Sequence, residues 1–522
     1  MISALERVSL AIRMISRGSP QTARYRLISA VVALASMVVS LSGSWIPSLW
    51  GDEAASIMSA QRSLSSLFTM LTTVDAVHGT YYLGLHAWIN VFGASPFSVR
   101  FPSAIAIGIA VAGIMHLTAR LSSRRTALVA GIVCGILPRV TYMGEETRSY
   151  AFSAAIAAWL TVLLVEIIRR NGSSRWQWFA YAALSATGIY VFLYLILLVL
   201  AHAVILLNIR APRGFLRKWF LYAAAAIILA TPVVIWAVLE RHQIGFLASR
   251  NEVTSRKLLV SLWFGSNQFA AIAWTLILVA GIAAVVIARR GRHDKHNVEV
   301  TAGGLRMPSL ELVAASWLLV PAVVLIGGQF LVPVYTARYL SYSAPAAAIL
   351  IASGLVVLTR NRMWALSLGV LLIVATAAPV YLAQRTPYAK NHSDWADIST
   401  LLGAHAKPGD AVDFDESVRP SRRPRLALHT YPAGFIGLRD ITLKVPFSAD
   451  PTWHDTAYTI AEAANLGRLA DVDRVWLIEY SIESPNDYDK QQLAELGYTP
   501  VAHYETHRSV IYEYTLAGNP GP

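Results

Sequence analysis

The chain has 522 residues, 55% of them hydrophobic and 14% charged, with a mean hydropathy of +0.49. Soluble domains carry about 25% charged residues, so the composition excludes an ordinary soluble protein. The net charge is +13, but residues 1–383 hold 31 Lys and Arg against 12 Asp and Glu, while residues 384–522 hold 13 against 19. The basic residues gather at the ends of apolar runs, which is the pattern of membrane topology and not of a nucleic-acid-binding tail. The one cysteine, Cys134, lies in an apolar run, which rules out an internal disulfide and argues against a cysteine metal site.

A bilayer core needs about 20 apolar residues per helix. Spans are predicted near 27–46, 99–119, 126–143, 151–168, 176–189, 191–209, 219–238, 270–288, 310–330, 340–358 and 363–383. The sequence thus reads as an all-α polytopic membrane protein with about eleven transmembrane helices over residues 1–383, the fifth short enough to be tilted. The basic start of the chain runs into the first apolar segment without a small-residue cleavage site, so that segment reads as a retained helix. With the N-terminus inside, the inner segments hold Arg7, Arg13, Arg17, Arg24 and Arg26, then Arg120, Arg124 and Arg125, then Arg169, Arg170 and Arg175. They continue with Arg210, Arg213, Arg217 and Lys218, with Arg289, Arg290, Arg292, Lys295 and Arg306, and with Arg360 and Arg362. That is 22 of the 31 basic residues, and an odd number of spans then leaves residues 384–522 outside the cytoplasm.

Two external segments are long. The first, 47–98, has helical periodicity over 56–71 and 80–93, and Tyr81, Tyr82, Leu85, Trp88, Ile89 and Phe92 suit a helix at the membrane interface. The second, 239–269, carries Arg241, Arg250, Arg256 and Lys257 before Leu262, Trp263 and Phe264. Beyond the last span, helices are predicted at Asp394–Ala406, Ala457–Leu469 and Asp489–Leu496, and strands at Ala411–Phe414, Arg474–Glu479 and Ser509–Tyr514. Residues 384–522 therefore read as a small extracytoplasmic α/β domain. It shows no nucleotide loop or nucleophile motif, and its adjacent His454 and Asp455 read as surface residues.

Four polar features fall at the same outer boundary: Asp52 and Glu53 after the first span, Asp75 and His78 in the first long loop, Glu145, Glu146, Arg148 and Tyr150 after the third span, and Arg338 and Tyr339 before the tenth. Singly, each has a plain reading: a solvated loop start, a structural histidine, a helix-end ion pair, a snorkelling arginine. Placed together on one face, they read as a site. Paired acids such as Asp52 and Glu53 could bind a divalent ion, though no set of three ligands is visible.

The order of these features resembles the GT-C superfamily of membrane glycosyltransferases, in the branch of protein O-mannosyltransferases, lipid A aminoarabinose transferases and actinobacterial mannosyltransferases. The likeness rests on Asp52-Glu53, on His78 followed by Tyr81-Tyr82, on Phe92-Gly93 with Ser95 and Arg100 with Pro102-Ser103, on Glu146-Thr147-Arg148 with Tyr150, and on Arg338-Tyr339-Leu340 before Pro345. Asp394-Trp395 and Pro408-Gly409-Asp410 match in the last part of the chain, whereas Gly79-Thr80 replaces the proline usual after the histidine. The resemblance implies an inverting transferase at the outer face of the plasma membrane. Its donor would be a sugar, mannose favoured, on a polyprenyl phosphate, and its acceptor a glycolipid, a cell-envelope glycan or a protein. In that reading Asp52 is the general base. Arg338 meets the donor phosphate, with Arg241, Arg250 and Arg256 as alternatives. Glu53, Asp75, His78, Tyr81, Tyr82, Glu146, Arg148, Tyr150 and Tyr339 contribute to substrate binding. Superfamily members differ in metal use, so a divalent ion is possible and no other cofactor is implied. The rival classes are a transporter or flippase of lipid-linked sugars, which should carry charges in its helix centres, and a scaffold, which would not need Asp52-Glu53.

Overall fold

The computed structural model describes residues 20–293, 304–332, 335–481 and 487–517. Arg7, Arg13, Arg17, Lys295 and Pro333 lie outside the described residues. Among the described residues seven helices are long and apolar enough to cross a membrane: α1 (Pro20–Leu41), α5 (Pro96–Leu121), α8 (Tyr150–Arg169), α13 (Asn267–His293), α14 (Leu310–Gly328), α15 (Ala344–Leu358, entered through the 3-10 turn Ala337–Ser343) and α16 (Met363–Ala383). Two more crossings are bent pairs. Helix α6 (Arg124–Ile136) meets α7 (Pro138–Gly144) at 59°, and α11 (Arg213–Leu229) meets α12 (Thr231–Leu239) at 53°. Pro138 opens α7 and a proline stands in the first turn of α12; neither ring can donate the amide hydrogen that would continue the preceding helix. The shorter α9 (Arg175–Val191) and α10 (Ile196–Asn208) form a further pair; by length and composition seven helices, or nine with each bent pair taken as one span, can cross a membrane among the described residues.

The bundle centre is α5, packed against α1, α6 and α8. Small residues set the approach of the helices: a Cβ on Gly354 of α15 would lie 1.9 Å from the Leu276 carbonyl oxygen of α13. Apolar side chains on α1, α11, α13 and α16, including Leu27, Leu34, Phe220, Ile282, Leu368 and Leu371, are exposed. That outward apolar band suits lipid.

Between α1 and α5 the first long connection folds into α2 (Gly51–Gln61), α3 (Leu64–Leu71) and α4 (Gly79–Phe92). Tyr81, Tyr82 and Leu85 of α4 are buried against Leu49, Ile57 and Leu67. The predicted interfacial face is thus satisfied mainly by protein, while Val91 and Phe92 remain exposed.

After α16 the chain forms α17 (Trp395–His405), β1 (Ala411–Phe414), α18 (Leu426–Thr430), β2 (Arg439–Asp440), the hairpin pair β3 (Leu443–Val445) and β4 (Thr456–Ala457), α19 (Ile460–Asn465), β5 (Arg474–Tyr480), α20 (Tyr488–Glu495), β6 (Tyr498–Glu505) and β7 (Ser509–Leu516). The main sheet runs β2-β1-β5-β7-β6, with β1 parallel to β2 and β5, and β7 antiparallel to β5 and β6. Strand β6, absent from the sequence reading, is an edge with mostly exposed residues and a proline. Helix α19 is shorter than the predicted 457–469. Asp455 is buried, not a surface residue: it accepts hydrogen bonds from His429 at 2.5 Å and from the Phe447 amide at 2.6 Å.

The soluble unit is locked onto α2 and α3. Buried Arg62 donates to the carbonyl oxygens of Phe447, Asp450 and Thr452. The Leu49 amide donates to the Tyr431 hydroxyl at 2.8 Å. A Cβ on Gly51 would lie 2.2 Å from the Ser421 carbonyl oxygen, so only glycine lets the two backbones meet there.

Candidate active site

Trp50 ends an extended stretch and α2 begins at Gly51, which puts Asp52 and Glu53 in the first turn, where a helix dipole favours carboxylates. One helical step separates their fates. Glu53 turns inward: its Oε1 and Oε2 accept from Arg100 at 2.8 and 2.5 Å, and the Thr147 amide donates to Oε1 at 2.9 Å. Both partners of that ion pair are fully buried. Arg100 also donates to the carbonyls of Ser44 and Pro47, so the pair ties the end of α1, α2 and α5 together. Asp52 turns the other way and faces a cavity of about 980 Å³ between the membrane bundle and the soluble unit.

The Asp52 carboxylate is ion-paired with Arg338, whose guanidinium stands 5.9 Å from the centre of the Trp50 ring. Arg148 donates to the Asp52 carbonyl at 3.3 Å and to Ser56 at 3.2 Å, and its other nitrogen lies 3.0 Å from His78 Nε2. Burial pushes the Asp52 carboxyl up, but Arg338 and Arg148 outweigh it and hold the group below its ordinary range. Because guanidinium only donates, His78 Nε2 is the acceptor and its proton is on Nδ1. Burial first, then the Arg148 and Arg338 charges, push the His78 imidazolium well below its usual range, so His78 is neutral.

Around this centre Asp75 accepts from the Tyr82 hydroxyl at 2.9 Å. Burial raises its carboxyl despite Arg148 and that hydrogen bond. Glu146 faces the cavity and is raised by burial, more than Lys390 draws it down, with Glu53 and Asp52 adding repulsion. Its neighbour Glu145 points elsewhere, into a buried clamp with Arg385 at 3.1 Å and Lys390 at 3.4 Å. The remaining wall includes Arg139, Tyr142, Tyr194, Glu240, Arg241, Arg250, Trp263 and Tyr339 from the bundle side, and Arg419, Ser421, Arg422 and Trp453 from the soluble unit.

This arrangement of a helical membrane bundle, the helices α2–α4 and an α/β unit around the cavity is a known one. It is similar to ArnT from Cupriavidus metallidurans in the apo state, with a TM-score of 0.56 at 14% identity over 95% of this chain and 98% of that one. ArnT bound to undecaprenyl phosphate gives 0.52 at 14% identity over 95% and 99%. The apo oligosaccharyltransferase of Archaeoglobus fulgidus gives 0.50 at 12% identity over 95% and 75%. A family model for dolichyl-phosphate-mannose-protein mannosyltransferase matches residues 80–236. The chain shares the fold of the ArnT structures. No curated protein sequence matches it.

Within this fold, Asp52, Asp75, His78, Glu146, Arg148, Arg241, Arg250, Arg338 and Tyr339 meet at one cavity. Glu53, Tyr81, Tyr82 and Tyr150 do not line it. Glu53 is closed off by Arg100. Tyr81 packs edge-on against Phe152, Tyr82 steers Asp75, and Tyr150 packs edge-on against Phe192. Arg256 is not on the wall. Sequence reading missed Arg139, Tyr142, Tyr194, Glu240, Arg419, Arg422 and Trp453. Arg139 sits just past the Leu137–Pro138 break, a signal that was present, whereas no local pattern marks the Arg419–Arg422 turn as facing a membrane site. The donor set does not suit a divalent ion. Among the described residues no three His, Cys, Asp or Glu side chains converge on one point, and Asp52 is already neutralised by Arg338.

Proposed function

We propose that this membrane protein is an inverting glycosyltransferase whose donor is a sugar, mannose favoured, on a polyprenyl phosphate, and that it works at the outer face of the plasma membrane. The observation that carries the reading is the Asp52–Arg338 pair at the membrane-side wall of the cavity. It pairs an acceptor for a proton with a fixed cation for a phosphate. The superfamily fold, the undecaprenyl phosphate bound by ArnT and the mannosyltransferase family match support the donor class.

In this mechanism the acceptor hydroxyl oxygen attacks the anomeric carbon from the face opposite the phosphate. Asp52 takes the hydroxyl proton. The bond from the anomeric carbon to the phosphate oxygen breaks, and its electron pair leaves with the polyprenyl phosphate. Arg338 stabilises the charge gathering on the leaving group, an interaction stronger in the transition state than before it. Arg148, held by Ser56 and His78, fixes the Asp52 backbone, and Glu146 is placed to meet a sugar hydroxyl. A transporter of lipid-linked sugars would need charges along its helix centres. Here Glu166 pairs with Arg120 and Arg169 at helix ends, and Glu311 accepts from Ser353 in the first turn of α14.

The test uses protein in nanodiscs with undecaprenyl phosphate. Wild type should bind it and Arg338→Ala should bind about tenfold or more weakly. Wild-type protein that binds no polyprenyl phosphate would sink the reading.

A further inference from the structure

A second cavity, of about 320 Å³, lies within the soluble unit. Its wall is built from β1 and the loop after it, from β4, and from the starts of α19 and α20. It shares no lining residue with the Asp52 cavity. Its volume is at the lower end of the range for small-molecule sites, about 300–1,000 Å³.

Two carboxylates on this wall make no ion pair. Asp413 of β1 is 2% exposed. Its Oδ1 accepts from the Thr442 hydroxyl at 2.8 Å, while its buried Oδ2 has no hydrogen-bond partner among the described residues. A buried acceptor without a partner is uncommon in folded proteins and calls for a ligand, a water or a proton. Asp489, half-buried in the first turn of α20, also has no partner among the described residues. Burial, then the charges of Asp415, Glu479 and Glu416, push the Asp489 carboxyl above its ordinary range. Burial and the Asp489 charge push Asp413 the same way, against Thr442 and Arg425. The cations nearby are committed to other acids: Arg423 to Glu416, Arg425 to Glu416 and Asp440, and Lys490 to Glu479 and Asp487.

Other groups on the wall accept as well. His454 Nδ1 donates to the Asp455 carbonyl at 2.9 Å, so Nε2 of the neutral ring is an acceptor. Thr456 gives its hydroxyl hydrogen to Asp450 at 2.6 Å and keeps its lone pairs. The wall thus offers acceptors and negative charge, which suits a ligand rich in N–H donors. A metal ion would need several acids or imidazoles around one point, and among the described residues no group of three exists.

We propose that this cavity is a binding site for a small organic ammonium compound, with Asp413 and Asp489 accepting its N–H groups. A primary ammonium brings three donors and one positive charge, and either a free amine or an amino sugar supplies it. The proposal is independent of the transferase reading. Entry of the cation favours both carboxylates in their charged form, so protons are released as it binds.

The experiment is titration calorimetry on full-length protein in phosphatidylcholine nanodiscs at pH 7. The probes are putrescine and glucosamine, with butanediol and N-acetylglucosamine as their neutral counterparts and calcium chloride as a metal. At least one ammonium probe should bind about tenfold more tightly than its neutral counterpart. Its binding heat should change between two buffers of different ionisation heat, in the sense of proton release. The tighter of the two probes identifies the source of the amine. Asp489→Asn, a change at a half-exposed position, should weaken that binding about tenfold with a thermal midpoint no lower than wild type. Asp413→Asn should do the same from the buried side. Equal binding of charged and neutral probes, no binding of either amine, or full affinity in folded Asp489→Asn overturns the proposal. Calcium binding that Asp489→Asn abolishes, without amine binding, overturns it in favour of a metal site.

Discussion

At the scale of single residues, the Asp52–Arg338 pair makes a prediction whose sign is unusual. A donor phosphate and the Asp52 carboxylate compete for one guanidinium. Asp52→Asn should therefore abolish most transfer, by about 10²–10⁴-fold for loss of a base, and at the same time tighten undecaprenyl phosphate binding, because Arg338 is released. Parallel turnover and binding measurements decide it; weaker lipid binding by Asp52→Asn would show that the two anions do not share Arg338. His78 carries a second prediction. Since its Nε2 accepts from Arg148 and it is held neutral, the pH profile of transfer should lack a limb near the ordinary histidine value of about 6.5. Such a limb in wild type, removed by His78→Gln, would assign His78 a proton-transfer role. The residues on the cavity were legible where they stand at the end of a predicted span, as Asp52, Glu146 and Arg338 do. The orientation of neighbours was not. Glu53 and Glu145 share the composition and position of Asp52 and Glu146, and what separates them is one helical step and the whereabouts of Arg100, Arg385 and Lys390, which are distant in sequence.

At the scale of elements, α2 is held by two devices that act from opposite sides. The buried Glu53–Arg100 pair fixes its start, and Arg62, just past its end, fixes it to the soluble unit. Breaking a buried ion pair by removing one charge costs about 3–5 kcal/mol, because the other charge is left in an apolar setting. Glu53→Gln should thus lower the thermal midpoint in detergent and reduce the yield of folded protein; an unchanged midpoint would mean water reaches Arg100. Arg62→Ala should act differently, leaving the bundle intact but loosening the soluble unit, read as faster cleavage in the segment joining α16 to α17 under limited proteolysis. Helix positions were readable because apolar length and periodicity are local properties. The strands β2, β3, β4 and β6 were not, since they are short or lie at an edge, where pairing and not pattern defines the strand.

At the scale of the whole molecule, the fold and the charge distribution bear on orientation independently. The α12–α13 connection, the soluble unit and the α1–α5 connection meet at one end of the bundle around the cavity, so they must share a side of the membrane. The opposite ends then comprise the turns before α6, α9, α11 and α16, where Arg124, Arg175, Arg213 and Arg362 stand. Lys and Arg are retained on the cytoplasmic side during insertion, and 22 of the 31 basic residues of 1–383 belong to that set. The nine others include Arg62, Arg100, Arg139, Arg148 and Arg338, each bound to a carbonyl or carboxylate of the protein and hence a poor guide to topology. Cys134 is buried, so single cysteines added elsewhere can be read against a silent background. Cysteines at Asn361, between α15 and α16, and at Ala449, in the soluble unit, should respond oppositely to a membrane-impermeant maleimide in intact cells. Ala449→Cys should be labelled at once and Asn361→Cys only after permeabilisation. Labelling of both from the same side would mean that α16 does not cross the membrane. Labelling in the reverse sense would keep the fold but move the cavity to the cytoplasmic face, where a donor would need no prior transfer across the membrane.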